Sequence, residues 1–178
     1  MVSAAAGDRK GERLTPGVAA AFTERHREVT VHSVSRHGGR MTNAAHTMFA
    51  ADEASRALGI DLVEAGDGRA VATMTITRAM VNGHDIAHGG YVFLLADTAF
   101  ACACNTHGPV TVAAGAEISF VAAGRLGDHL VATATERTRY GRNGIYDVTV
   151  HRETPAGPEV VAEFRGRSRV LSAKRDDA

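Results

Sequence analysis

Residues 91–104 read YVFLLADTAFACAC and follow directly on His88-Gly89-Gly90. Wound as a helix, this stretch is apolar on every face except at Asp97 and its neighbour Thr98, so it has to be covered on all sides. A lone carboxylate among such neighbours costs several kcal/mol unless something compensates it, and a chain needing only a core would place Leu or Ala there. Asp97 is therefore the first candidate for a chemical task.

Outward from this helix the pattern changes to period two. Residues 69–77 alternate, with Ala70, Ala72, Met74 and Ile76 on one side and Val71, Thr73, Thr75 and Thr77 on the other. That is an antiparallel strand with one buried face. Residues 60–64 form a strand-like piece before it, turning at Gly66-Asp67-Gly68. Four more alternating runs follow the helix, at 112–121, 129–137, 144–152 and 160–170. They are separated by turn residues at Ala123 to Asp128, Tyr140 to Gly144, and Pro155 to Pro158. Residues 44–58 are rich in helix formers, and Gly59 is placed to end a single short amphipathic helix. The order of one short helix, two strands, a long apolar helix and four strands predicts an α+β fold in which one curved antiparallel sheet of about six strands wraps the helix. An open sheet has two edges, so pairing one with a second copy is expected.

Composition narrows the partners. Of 178 residues, 20 are basic and 20 acidic, which leaves no global field to draw nucleic acid or an anionic membrane. The apolar helix reaches only about 21 Å against the roughly 30 Å of a bilayer core, which predicts no membrane span. Cys102 and Cys104 point in different directions on that helix and have no other cysteine to pair with, which fits a reducing cytoplasm. Residues 1–42 lack both a signal-peptide run and a core pattern and are expected to be a loosely ordered extension. The folded domain is expected over 43–172, with a charged tail at 173–178.

Gly89 and Gly90 stand where a loop becomes a helix. Their N–H groups have no helical carbonyl to satisfy them, and the helix dipole adds positive potential, so they are candidates to polarise a carbonyl and hold the oxyanion that forms on attack. Asp97 lies eight residues beyond Gly89, about 12 Å along the axis, too far to reach the same carbonyl. The two can cooperate only across antiparallel helices of different subunits. His88 is expected to orient the loop or bond the substrate. His84-Asp85-Ile86-Ala87-His88 has a faint metalloprotease look, but the flanking glycines and the Asp in place of Glu argue against that helical site, and no metal site is predicted. Arg165, Arg167 and Arg169 alternate on one face of the last strand, and with Arg142 in a Gly-rich turn they fit a ligand carrying several phosphates, such as coenzyme A.

The run Met80-Val81-Asn82-Gly83-His84-Asp85-Ile86-Ala87-His88-Gly89-Gly90, continued by Phe93 to Ala101 and Asn105, closely resembles the hotdog-fold acyl-CoA thioesterases of phenylacetate degradation, the PaaI type. The likeness runs from about Ala44 to Leu171, including Gly144 to Asp147 and Phe164 to Ser168. It implies a hotdog fold, dimers paired into a tetramer and hydrolysis of an acyl-CoA with no metal or redox cofactor, a ring-hydroxylated phenylacetyl or related aryl-acyl group being expected. It also implies that the Gly89 amide polarises the thioester carbonyl and that Asp97 of the other subunit is the nucleophile or general base. Asn82 and His88 then support substrate and loop, while Gly90, Thr98, Arg142, Arg165 and Arg167 are expected to contact substrate. In the family the turn after the third strand tends to carry Arg-Pro-Gly; here it reads Val121-Ala122-Ala123-Gly124. Rival readings are a non-catalytic acyl-CoA-binding protein of the same fold and a hotdog enoyl-CoA hydratase; release of free thiol separates both from a thioesterase.

Overall fold

A computed structural model describes residues 43–171; the N-terminal extension and the charged tail expected from the sequence lie outside the described residues. The long helix, α3 (Gly89–Asn105), lies against one antiparallel sheet built from β1 (Asp61–Gly66), β2 (Arg69–Thr75), β3 (Thr111–Phe120), β4 (His129–Tyr140), β5 (Asn143–Arg152) and β6 (Glu159–Val170). The spatial order is β1-β2-β4-β5-β6-β3, so β1 and β3 are the edges.

The alternation read in the sequence becomes the helix-facing surface of the sheet. Ala70 pairs with Ala134 and Ala72 with Ala132 in the β2–β4 ladder, and all four are fully buried. Small side chains there let the helix approach. Under the middle of α3, a Cβ on Gly166 would stand 2.7 Å from the Phe100 ring, so this position is glycine because an aromatic side chain occupies the space. Phe100 packs against Tyr146 (centroids 5.5 Å) and Phe164 (5.8 Å), and Phe93 meets Phe164 edge-on at 5.3 Å. These rings fix the helix over β5 and β6.

The C-terminal end of α3 is tied to the edge strand by Asn105. Its side chain donates to the Ala101 carbonyl (2.9 Å) and the Thr111 carbonyl (2.8 Å) and accepts from the Thr111 N–H (3.0 Å). Beyond it, Glu136 accepts from the buried Tyr146 hydroxyl at 2.8 Å and faces His107 at 2.7 Å.

Two expectations are corrected. The predicted helix over 44–58 is two helices, α1 (Ala44–Ala50) and α2 (Glu53–Ala57). The break is made by Asp52, whose carboxylate accepts from the Ser55 N–H (3.0 Å) and hydroxyl (2.6 Å) and so starts a new helix instead of continuing the old one. Gly59, with φ of +69°, follows the second helix's end. The sheet also does not cover α3 all round. The strands take one side, and α1 and α2 pack on another. Leu94, Asp97 and Ala101 are left half-buried beside exposed Gly90, a stripe at helical spacing that nothing in this protomer covers among the described residues.

Candidate active site

The loop before α3 is built as a small closed turn. Val81 bridges to Ala87, the Asn82 N–H donates to the Ile86 carbonyl (2.8 Å), and the Asn82 side-chain oxygen accepts from the N–H of His84 (2.9 Å) and Ile86 (3.4 Å). Asn82 thus holds the loop from inside. Asp85 sits at φ +59° within it, exposed beside Arg78, and His84 is exposed on the same turn, so the His-Asp-Ile-Ala-His run is not helical. The far side of the loop is pinned when His88 N–H donates to the Met80 carbonyl and Ala87 N–H to the Gly124 carbonyl, both at 2.8 Å.

These ties deliver the start of α3, where the two glycines divide their roles. His88 is the N-cap: its Nδ1 accepts from the Gly90 N–H at 3.0 Å, and its ring meets Tyr91 edge-on at 6.1 Å. As the acceptor in that bond, Nδ1 presents its lone pair to the helix start. The Tyr91 N–H is taken by the His88 carbonyl at 3.0 Å. The Gly89 N–H donates to no group among the described residues. It is the unspent donor at the positive end of a long helix.

Gly89 opens onto a cleft of about 410 Å³ lined by Asn82, Ile86, Val92, Phe120, Val121 and Val161, among others. Its backbone is helical, so turn geometry does not demand glycine. A side chain here would instead meet the Phe120 ring, whose Cζ lies 2.8 Å from where a Cβ would stand, so the ring would have to turn aside for any other residue. Sequence reading did not reach Phe120, because it is 31 positions away and no local spacing marks a strand-end phenylalanine as a neighbour of the helix start.

Asp97 faces the uncovered stripe. Burial raises its carboxyl above the ordinary value of 3.8, and no hydrogen bond reaches it among the described residues. Thr98 is not brought beside it. One residue on, it turns about 100° around the helix and is buried with its hydroxyl 2.9 Å from that of Ser55. It is core, not cleft.

The arginine comb shares one face as expected, but opposing carboxylates engage it. Arg165 makes a two-pronged bond to Asp147 (2.7 and 3.0 Å), which Arg137 also approaches at 3.3 Å, and Arg167 reaches Glu117 at 3.4 Å. The neighbouring guanidinium of Arg165 holds the Asp147 carboxyl below its ordinary value. A cavity of about 650 Å³ on this face, among Thr149, Glu163 and Arg165, is polar and away from Gly89. Arg142 donates to the Val170 carbonyl (2.7 and 3.2 Å) and stands at the end of the sheet where Val170 pairs with Thr111, beside the far end of α3 from Gly89. Within one protomer, none of the four arginines is brought to the Gly89 cleft.

The thioesterase superfamily pattern matches residues 84–159, which span the helix start, Asp97 and the following strands. Over 124 residues the chain is 45% identical to the acyl-coenzyme A thioesterase PaaI of Escherichia coli (strain K12), covering 70% of this chain and 86% of that protein. The structure of the E. coli PaaI protein from the phenylacetic acid degradation operon aligns with a TM-score of 0.69 at 43% identity, over 73% of this chain and 92% of that one. An Asn-to-Asp variant of the phenylacetic acid degradation protein PaaI from Thermus thermophilus aligns with a TM-score of 0.62 at 32% identity, over 66% and 97%.

Proposed function

This chain belongs to the thioesterase superfamily as a PaaI-type, hotdog-fold acyl-CoA thioesterase, and from that premise we propose that it hydrolyses aryl-acyl thioesters of coenzyme A, ring-hydroxylated phenylacetyl-CoA foremost, at a site shared by two copies. The observation that carries the site is the unspent Gly89 N–H opening on an apolar cleft. A thioester carbonyl bonded to that amide gains stabilisation as its oxygen becomes an oxyanion. Asp97 of the other copy either takes a proton from the attacking water or attacks the carbonyl itself. The C–S bond breaks, the thiolate leaves and is protonated, and water supplies the oxygen of the released carboxylate. Asn82 and His88 act by holding Gly89 in place.

Support for the shared site comes from distance and exposure. Gly89 and Asp97 lie about 12 Å apart along one straight helix, while Asp97 stands half-buried on a stripe free to meet a second copy. The proposal extends to dimers paired into a tetramer and to a cytoplasmic location. For substrate phosphates, Arg142, Arg165 and Arg167 remain candidates only as residues reached from another copy.

The first test is release of free thiol from a panel of phenylacetyl, hydroxyphenylacetyl, benzoyl and aliphatic CoA thioesters by the full chain. Preference for the hydroxylated phenylacetyl thioester is expected, and no thiol from any of them would remove hydrolysis from consideration. The shared site is tested by complementation. Gly89→Pro deletes the N–H at the first helical position, where proline fits and where His88 (φ −66°, ψ 127°) already has the extended backbone that a following proline requires; the Phe120 ring has to shift for it. Mixed with Asp97→Asn and reassociated at random, half of the dimers would carry one intact site, restoring about a quarter of wild-type activity. Two inactive variants that stay inactive when mixed, although mass spectrometry finds the mixed dimers, would place both groups in one protomer.

A further inference from the structure

We infer that Phe120 determines which acyl groups this protein accepts, an inference that rests on the thioesterase reading of the Gly89 cleft. Phe120 is the last residue of β3, a sheet edge, and pairs only on one side, with Ala162 of β6. The residue is 56% exposed, yet its ring Cζ and Cε1 lie 2.8 and 3.2 Å from the position a Cβ on Gly89 would take. A half-exposed phenylalanine thus stands over the Gly89 Cα, beside the backbone amide proposed to bind the substrate carbonyl.

Its backbone has little freedom to retreat. The N–H groups of Val121 and Ala122 both donate to the Val161 carbonyl, at 2.8 and 3.2 Å, so the strand end is anchored where it leaves the sheet. Gly89 is fixed by the helix and by the tie from His88 to Met80. The gap between them can change only by rotation of the Phe120 side chain on a fixed pivot. A substrate carbonyl bonded to the Gly89 amide sits in the same cleft that Phe120 lines, with the ring standing over the Gly89 Cα. The ring therefore bounds the space left for the acyl group beside that carbonyl. A flat aryl group on a methylene spacer can lie along it, whereas a second bulky group on the α-carbon meets it. Apart from Asn82, whose side-chain oxygen is turned to the loop N–H groups of His84 and Ile86, the remaining side chains of the wall, among them Ile86, Val92, Val121 and Val161, are aliphatic and offer no charge to hold a charged acyl chain.

The test compares Phe120→Ala and Phe120→Leu with the wild type on acetyl-, phenylacetyl- and diphenylacetyl-CoA. In Phe120→Ala the kcat/KM ratio of diphenylacetyl to phenylacetyl should rise about tenfold or more, with Leu intermediate and acetyl-CoA changed less than about threefold. A single common factor across all three thioesters, or an unchanged ratio, overturns the inference. Dissociation constants of the matching non-hydrolysable thioethers report the binding part of that preference without turnover, and their ratio should shift in the same direction. If the wild type releases no thiol from any thioester, the hydrolase reading falls by itself, and the thioether ratio still decides the role of Phe120. Should the alanine variant fail to fold, Phe120→Leu carries the comparison.

Discussion

Replacing Asp97 by asparagine separates chemistry from architecture. The side chain keeps its shape and loses only its charge and basicity. The carboxylate accepts no hydrogen bond among the described residues and stands half-buried on the open stripe of α3, so no structural bond is lost. If it is base or nucleophile, kcat should fall by about 10²- to 10⁴-fold, equivalent to about 3–5 kcal/mol of transition-state stabilisation. KM should stay within a few-fold, because the Gly89 amide and the apolar cleft are intact. Stability should move the other way. Desolvation raises the folded-state value of Asp97 above the unfolded 3.8, so the folded protein binds the proton more tightly than the unfolded chain does. That contribution is fully present below 3.8 and is lost as pH rises through the folded value; above it, the ionised side chain is a net burden. Asn lacks the burden, so the variant should melt no lower than wild type at pH 7 and lose the pH-dependent part of the difference in acid. Thiol release at saturating thioester and a melting scan at several pH values read both effects. Turnover within tenfold of wild type, or a melting temperature several degrees lower at pH 7, would refute the reasoning, the second by showing that the carboxylate holds structure.

Three further outcomes follow from the packing. Gly166→Ala drives a Cβ to 2.7 Å from the Phe100 ring and should cost about 1–3 kcal/mol in chemical denaturation, and trimming the ring with Phe100→Leu should offset part of that cost. Asn105→Ala leaves the Thr111 N–H and carbonyl without their partner at a buried strand start; a loss of about 1–3 kcal/mol is expected, with faster amide exchange at Thr111 as the local readout. His88→Ala removes the helix cap on Gly90 at an exposed site, which should cost about 1 kcal/mol and lower the melting temperature by about 3 °C. Its kcat should drop less than that of Asp97→Asn, since the Gly89 amide remains.

Much of this protein is decided by local chemistry. The alternation of Ala70, Ala72 and Met74 against threonines, and the apolar run of residues 91–104, dictate strands and a buried helix because each side chain's face is fixed by its spacing. The same spacing singles out Gly89 at a helix start and Asp97 as the carboxylate an apolar helix would otherwise avoid. What spacing could not decide is where each face ends up. Asp52 breaks a helix that propensity would continue, because a side-chain cap outcompetes a weak helical preference. Thr98 points to Ser55 and away from the stripe, and Arg165 and Arg167 meet Asp147 and Glu117 on neighbouring strands, pairings fixed by register. Which glycine amide remains free was decided by His88 folding back on Gly90, and what a side chain at Gly89 would meet was decided by Phe120, brought across the fold by the strand order. Sequence spacing fixes which residues share a face; only the closed chain fixes which faces meet, because that depends on contacts between residues tens of positions apart.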